Sequence, residues 1–238
     1  MINLVIVLKG GPTSGWYAPP KGTHSGEEHE KVGSGKATAT GGKKKEAPVV
    51  AAESYKHVEF SEVTPKHKEK IVGILRKHGV PDDHVKGLTI TTRMPSNYKA
   101  VGGDWIDRTG ATVNGVYFQG AARGGTGVIH ISPGTLRYRG ATLVHEVGHH
   151  KMRRYSLDVG LGRDWDLVKG RLTFAASTIR DMPDRSRRKL GLREYSGRNY
   201  KEFFADSYSS SLIGTESQQK ALRSFCKTMR IDFEEAFG

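Results

Sequence analysis

Leu143-Val144-His145-Glu146-Val147-Gly148-His149 sets two imidazoles four residues apart, with a carboxylate directly after the first. On an α-helix, positions i and i+4 share a face, so both rings reach one ion. Neutral imidazole suits Zn2+, which in catalytic sites takes three protein ligands and keeps a position for water. Water bound in that position loses several pKa units and becomes a nucleophile at neutral pH. Glu146 then stands beside the water as general base. The chemistry of such a constellation is metal-assisted hydrolysis. Gly148 leaves room for close packing in front of the second histidine.

A third ligand has to come from elsewhere in the chain. Met152 and Tyr155 stand where a metzincin-type extension would need glycine and a third histidine, so that pattern fails. His150 points off the ligand face and reads as a surface group or one behind the ligands. Among the downstream acids, Glu202 is favoured. It lies on a predicted helix beside Phe203 and Phe204, where a buried carboxylate needs a partner. Asp206 follows on the same face, placed to orient a ligand histidine. Glu194 is the alternative ligand.

The elements that must position these groups begin near Val58. Thr64-Pro65 predicts a helix start, with Ile71, Ile74 and Leu75 at helical spacing and Gly79 as its stop. Alternating, β-branched runs predict strands at 88–92, 112–118 and 127–131. Helices are predicted at 138–154, 164–179, 199–212 and 216–237. A helix, a few strands and then helices imply an α+β fold: a small mixed sheet, an active-site helix and a helical C-terminal half. Residues 1–55 are expected to be a flexible Gly/Lys-rich tail or linker, and 56–238 one domain.

The formal charge of +13 favours nucleic acid, anionic surfaces or acidic proteins as contacts. The run Arg185-Ser186-Arg187-Arg188-Lys189 has no interleaved aromatic platform, so a solvated loop is favoured over a nucleic-acid site. Cys226 is the single cysteine, so no intramolecular disulfide forms, which fits a reducing compartment. The N-terminal apolar run is short and lacks a preceding basic residue, and no stretch reaches the roughly 20 apolar residues of a spanning helix. The expectation is a cytoplasmic protein without membrane contact.

Asn199-Tyr200-Lys201-Glu202-Phe203-Phe204-Ala205-Asp206, following the H-E-x-x-H, resembles the gluzincins, nearest to those related to anthrax lethal factor and the Pro-Pro endopeptidases. The resemblance spans residues 60–215 and implies a zincin-like fold with one Zn2+ per chain. It implies an endopeptidase acting on protein or peptide substrates, with His145, His149 and Glu202 on the metal, Glu146 as base and Asp206 behind a histidine. The resemblance also implies a catalytic role for Tyr195, seven residues before the ligand glutamate, as a donor to the oxyanion. Zincins pair substrate along an edge strand. Val128, Ile129 and His130, just before the metal helix, are the candidates. Separately, Gly10-Gly11-Pro12-Thr13-Ser14-Gly15-Trp16 resembles linkers of phage head-morphogenesis proteins, implying phage structural partners and a virion association. The alternative is a head-associated or nucleic-acid-binding protein that keeps the fold without turnover.

Overall fold

The computed structural model describes residues 55–101, 104–120, 126–138, 140–160 and 163–238, together with the backbone of Val5–Val7. That three-residue segment forms strand β1 (Val5–Val7), and β2 follows at Glu59–Ser61. Thr64 then accepts from the backbone N–H of His67 at 3.3 Å with Pro65 in the first turn, so α1 starts as predicted and runs Pro65–Lys77. Gly79 follows at φ 63°, the left-handed geometry that ends helices. Its apolar stripe buries Ile71 and Leu75 completely.

Strands β3 (Leu88–Thr91), β4 (Lys99–Val101), β5 (Asp104–Ile106), β6 (Thr112–Val113), β7 (Gly115–Gln119) and β8 (Gly127–Ile131) complete the β structure. They build a five-stranded sheet, β1-β7-β8-β3-β2, and a small antiparallel one, β4-β5-β6. The larger sheet is mixed: β2, β3 and β8 are parallel, whereas β7 is antiparallel to both β8 and β1. The predicted strand 112–118 is therefore two strands in two sheets. They part at Asn114, whose carbonyl accepts from Ser132 N–H at 3.0 Å and from the Thr135 hydroxyl at 3.0 Å.

The remaining chain is helical: α2 (Thr135–Tyr138), α3 (Gly140–Asp158), α4 (Arg163–Asp181), α5 (Asp184–Lys189), α6 (Tyr200–Ile213), α7 (Glu216–Thr228) and α8 (Phe233–Phe237). The fold is α+β, with α3 against the sheet and α6 against α3. Ile129 and Ile131 from β8, Leu143, Val144 and Val147 from α3, and Phe203, Phe204 and Tyr208 from α6 are fully buried in one core. The predicted helix 216–237 is broken. Arg230 adopts φ 57°, and Asp232 restarts α8 by accepting from Glu235 N–H at 3.1 Å. The basic run at 185–189 is also not a loop but the body of α5, where Arg187 is buried and donates to the Met182 carbonyl at 2.6 Å.

β8 is not an edge strand: Val128, Ile129 and His130 pair with Phe118, Tyr117 and Val116 on one side and with Thr89, Ile90 and Thr91 on the other. Preceding the metal helix in sequence does not fix lateral position in a sheet. The strand between β8 and the rim on that side is β7, and its outer edge carries β1 in antiparallel register, Val5 opposite Phe118 and Val7 opposite Val116. Val5–Val7, expected within the tail, thus belong to the sheet, and the rest of the expected tail to residue 54 lies outside the described residues. Among the described residues no helix is long and apolar enough to cross a membrane.

Candidate metal centre

Helix α3 turns His145 and His149 toward Glu202 of α6 and Glu146 toward Gly115 of β7. All three α3 side chains are buried, with Glu146 and His149 fully enclosed. Helix α6 starts where the Asn199 side chain accepts from the N–H groups of Lys201 (2.9 Å) and Glu202 (3.1 Å). This puts Glu202 in the first turn, where the helix dipole favours a carboxylate. The two helices meet backbone to backbone. A Cβ on Gly148 would lie 2.8 Å from the Cα and 2.9 Å from the carbonyl oxygen of Ala205. Only glycine allows that approach, which brings Glu202 to the histidines.

Glu202 Oε2 lies 3.3 Å from His145 Nε2 and 3.5 Å from His149 Nε2. None of these three buried atoms has a hydrogen-bond partner. A bare buried donor or acceptor costs about 1–3 kcal/mol, so three converging on one point call for an occupant. Ligand atoms held 2.0–2.1 Å from a tetrahedral ion are about 3.3–3.4 Å apart, close to the two distances from Glu202 to the imidazoles, and all three atoms lie within 4.8 Å of one another. Two imidazoles and one carboxylate are the donor set of a catalytic metal site, and the residues present fit a divalent cation such as Zn2+. Among the described residues these three form the group able to hold an ion.

His145 is oriented from behind. Its Nδ1–H donates to Asp206 Oδ1 at 2.6 Å, which turns Nε2 toward Glu202. Asp206 is held in turn by the Ser196 hydroxyl at 2.6 Å and by a two-pronged contact from Arg193. Burial opposes a charge on His145, yet Asp206 and then Glu202 overcome it and raise the ring to about 10. Asp206 is itself costly to bury, but Arg193 and His145 hold it well below the usual carboxylate range. Burial also works against the Glu202 carboxylate, and the two imidazoles bring it down to about 2. His149, chiefly through burial, is shifted the other way, toward the neutral ring a metal requires.

Glu146 behaves differently from Glu202 one helix away. Neither of its oxygens has a partner, and burial pushes it up to about 8. A Cβ on Gly115 in β7 would lie 3.2 Å from Glu146 Cγ, so the strand backbone passes directly over this carboxylate. Tyr195 sits in the 3-10 turn Glu194–Gly197. Burial first, then the Glu202 and Glu146 charges, raise its phenol, which stays protonated within electrostatic reach of the site.

Glu194 is exposed and stands outside the metal group. His150 is neither on the surface nor behind a ligand. It is fully buried, with Nε2–H donating to the Lys86 carbonyl at 3.0 Å and Nδ1 accepting from Tyr117 at 3.3 Å. Arg193 and Ser196 were not legible as parts of the centre. They lie in a polar stretch whose only signal is proximity in sequence to Tyr195.

Compared with family models, with curated proteins and with solved structures, the chain finds no match. The Gly-rich segment on which the likeness to phage head proteins rests lies outside the described residues.

Proposed function

We propose that the chain is a zinc-dependent endopeptidase of the gluzincin type. The observation that carries this reading is the convergence of three bare donor atoms, His145 Nε2, His149 Nε2 and Glu202 Oε2, next to a bare, buried Glu146 carboxylate. A site built only to store a structural ion has no use for Glu146 and usually supplies four protein ligands.

A zinc ion held by His145, His149 and Glu202 supplies a Lewis acid that acidifies water and polarises a peptide carbonyl. Glu146 takes the proton of the attacking water and returns it to the departing amine as the C–N bond breaks and the new C–O bond stands. Tyr195, held protonated, donates to the carbonyl oxygen as negative charge develops on it. Asp206, with Arg193 and Ser196 behind it, keeps His145 in the tautomer that leaves Nε2 free. Substrate pairs along the outer edge of β7, the side β1 holds in this structure, since backbone pairing at a sheet rim supplies affinity with little sequence demand.

The test joins metal analysis to cleavage. Wild type should carry about one zinc per chain, rather than iron, and cut peptides in a chelator-sensitive way. Glu146→Gln should keep the zinc and lose about a thousandfold in hydrolysis. A Glu146→Gln variant that cleaves like wild type removes Glu146 as base. Properly folded protein without metal removes the reading altogether.

A further inference from the structure

A pocket of about 100 Å³ opens beside His149, between the far end of β7 and the turn of α3 that follows the metal ligands. Gln119, Arg153, Trp165, Tyr200 and Lys201 line it together with His149 itself. Trp165 and Tyr200 form an aromatic wall, their ring centroids 6.5 Å apart. Lys201 and Lys169 both reach toward the Tyr200 ring, with ammonium nitrogens 5.9 and 5.7 Å from its centroid. With its amide oxygen turned inward, Gln119 accepts from Arg153 Nε at 3.0 Å and Nη2 at 3.3 Å. That contact fixes the guanidinium without neutralising it.

Two cations, Arg153 and Lys201, thus line a small cleft with Lys169 on the Tyr200 ring beside them, and among the described residues no carboxylate lies within ion-pair reach of the three. Elsewhere the molecule pairs its cations where acids are near, as with Arg93–Glu62 and Arg188–Asp184. Unpaired like charges held around one cavity repel each other, and an anionic guest relieves that repulsion.

The strand direction says where on a substrate the guest belongs. β7 passes Glu146 at Gly115 and reaches the pocket at Gln119. A peptide antiparallel to β7, as β1 is, enters with its N-terminal residues at the Gln119 end. Its bond to be cut lies at the metal ligands, so the pocket receives a side chain N-terminal to that bond.

Resting on the peptidase reading above, we propose that this pocket selects substrates with an acidic side chain, Asp or Glu, on the N-terminal side of the cleaved bond. Arg153 is the principal specificity-determining residue, with Lys201 and Lys169 adding charge and the aromatic wall excluding water. A planar guanidinium matches a carboxylate in geometry as well as charge.

The experiment uses the full-length zinc-loaded chain and a blocked peptide library in which each position is fixed in turn as Glu or as its neutral isostere Gln. Wild type should prefer Glu by about tenfold or more in kcat/KM at one position before the cut. Arg153→Gln should erase that ratio, and Arg153→Glu should invert it. A ratio within one sample does not depend on how much of a variant folds. In parallel, binding of the same paired peptides is measured on Glu146→Gln, which does not turn over. Cleavage with equal rates on Glu and Gln peptides overturns the pocket assignment and leaves the peptidase standing. Preferential binding of Glu peptides without cleavage by wild type overturns the peptidase and sustains the pocket's chemistry. No cleavage and no binding preference overturns both.

Discussion

Buried imidazoles lie on two sides of helix α3, three of its own and His84 from the chain between α1 and β3, and the sides obey opposite rules. His145 and His149 face α6 with Nε2 atoms that make no hydrogen bond. On the other side, His150 has both ring nitrogens engaged, and so does nearby His84, which contacts Tyr208 at 3.0 Å and Lys151 at 2.9 Å. An ammonium only donates, so His84 accepts at Nε2 and donates from Nδ1 to the Tyr208 oxygen. Burial drives both His84 and His150 down to about 4, into fixed neutral tautomers. Burial is common to the two sides, while satisfaction is not. His84 and His150 are closed by the fold, whereas the open Nε2 atoms of His145 and His149 belong to the group that could hold an ion.

Removing Glu202 should have the largest effect. Glu202→Ala should weaken zinc binding by well over the roughly 100-fold that loss of an outer partner costs, measured by competition with a chromogenic chelator. Retention of zinc at wild-type affinity would mean that the open side is not a metal site. Asp206→Asn comes next. It keeps the shape but withdraws the charge that orients His145, and should cost roughly 10–100-fold in zinc affinity, with hydrolysis restored by excess zinc.

These two sites were legible because a single helix carries each periodic signal. His145 and His149 lie four apart, and Glu202 and Asp206 lie four apart beside Phe203 and Phe204. What stayed hidden depends on distant chain meeting by folding. Arg193 looks like any surface arginine until the 3-10 turn brings it onto Asp206. The alternation of β8 suits an edge strand and an interior one equally, and only pairing to β3 and β7 decides. In the same way, the apolar spacing of 216–237 runs through the turn at Arg230, which a left-handed φ imposes without any glycine to announce it.

A smaller effect sharpens the closed side. Below the ordinary imidazole value of 6.5, His150 takes up a proton in the unfolded chain but not in the folded one, until about pH 4. Its contribution is therefore fully present above 6.5 and is lost as pH falls toward 4. Between pH 7.5 and 5 that loss is about 2 kcal/mol. His150→Gln keeps a donor for Lys86 and an acceptor for Tyr117 without titrating. In denaturant melts with chelator, it should lose correspondingly less stability on acidification while leaving zinc binding unchanged. An unchanged pH slope would mean that His150 is not held neutral.

The smallest effect concerns the rim. Deleting residues 2–9 removes β1 and should raise peptide hydrolysis a few-fold by lowering KM, with kcat unchanged. A fall in zinc content or kcat would instead make β1 part of the scaffold.

Gly148 has one more consequence. If alanine replaced it, every residue of the candidate metal group would remain, and the string H-E-x-x-H would read the same. Yet the added carbon would drive into Ala205 and lever α6 away, carrying Glu202 with it. The spacing of the ligands is therefore gauged by a missing methyl group, at a position the motif writes as arbitrary. In this chain the second x of the signature is part of its meaning.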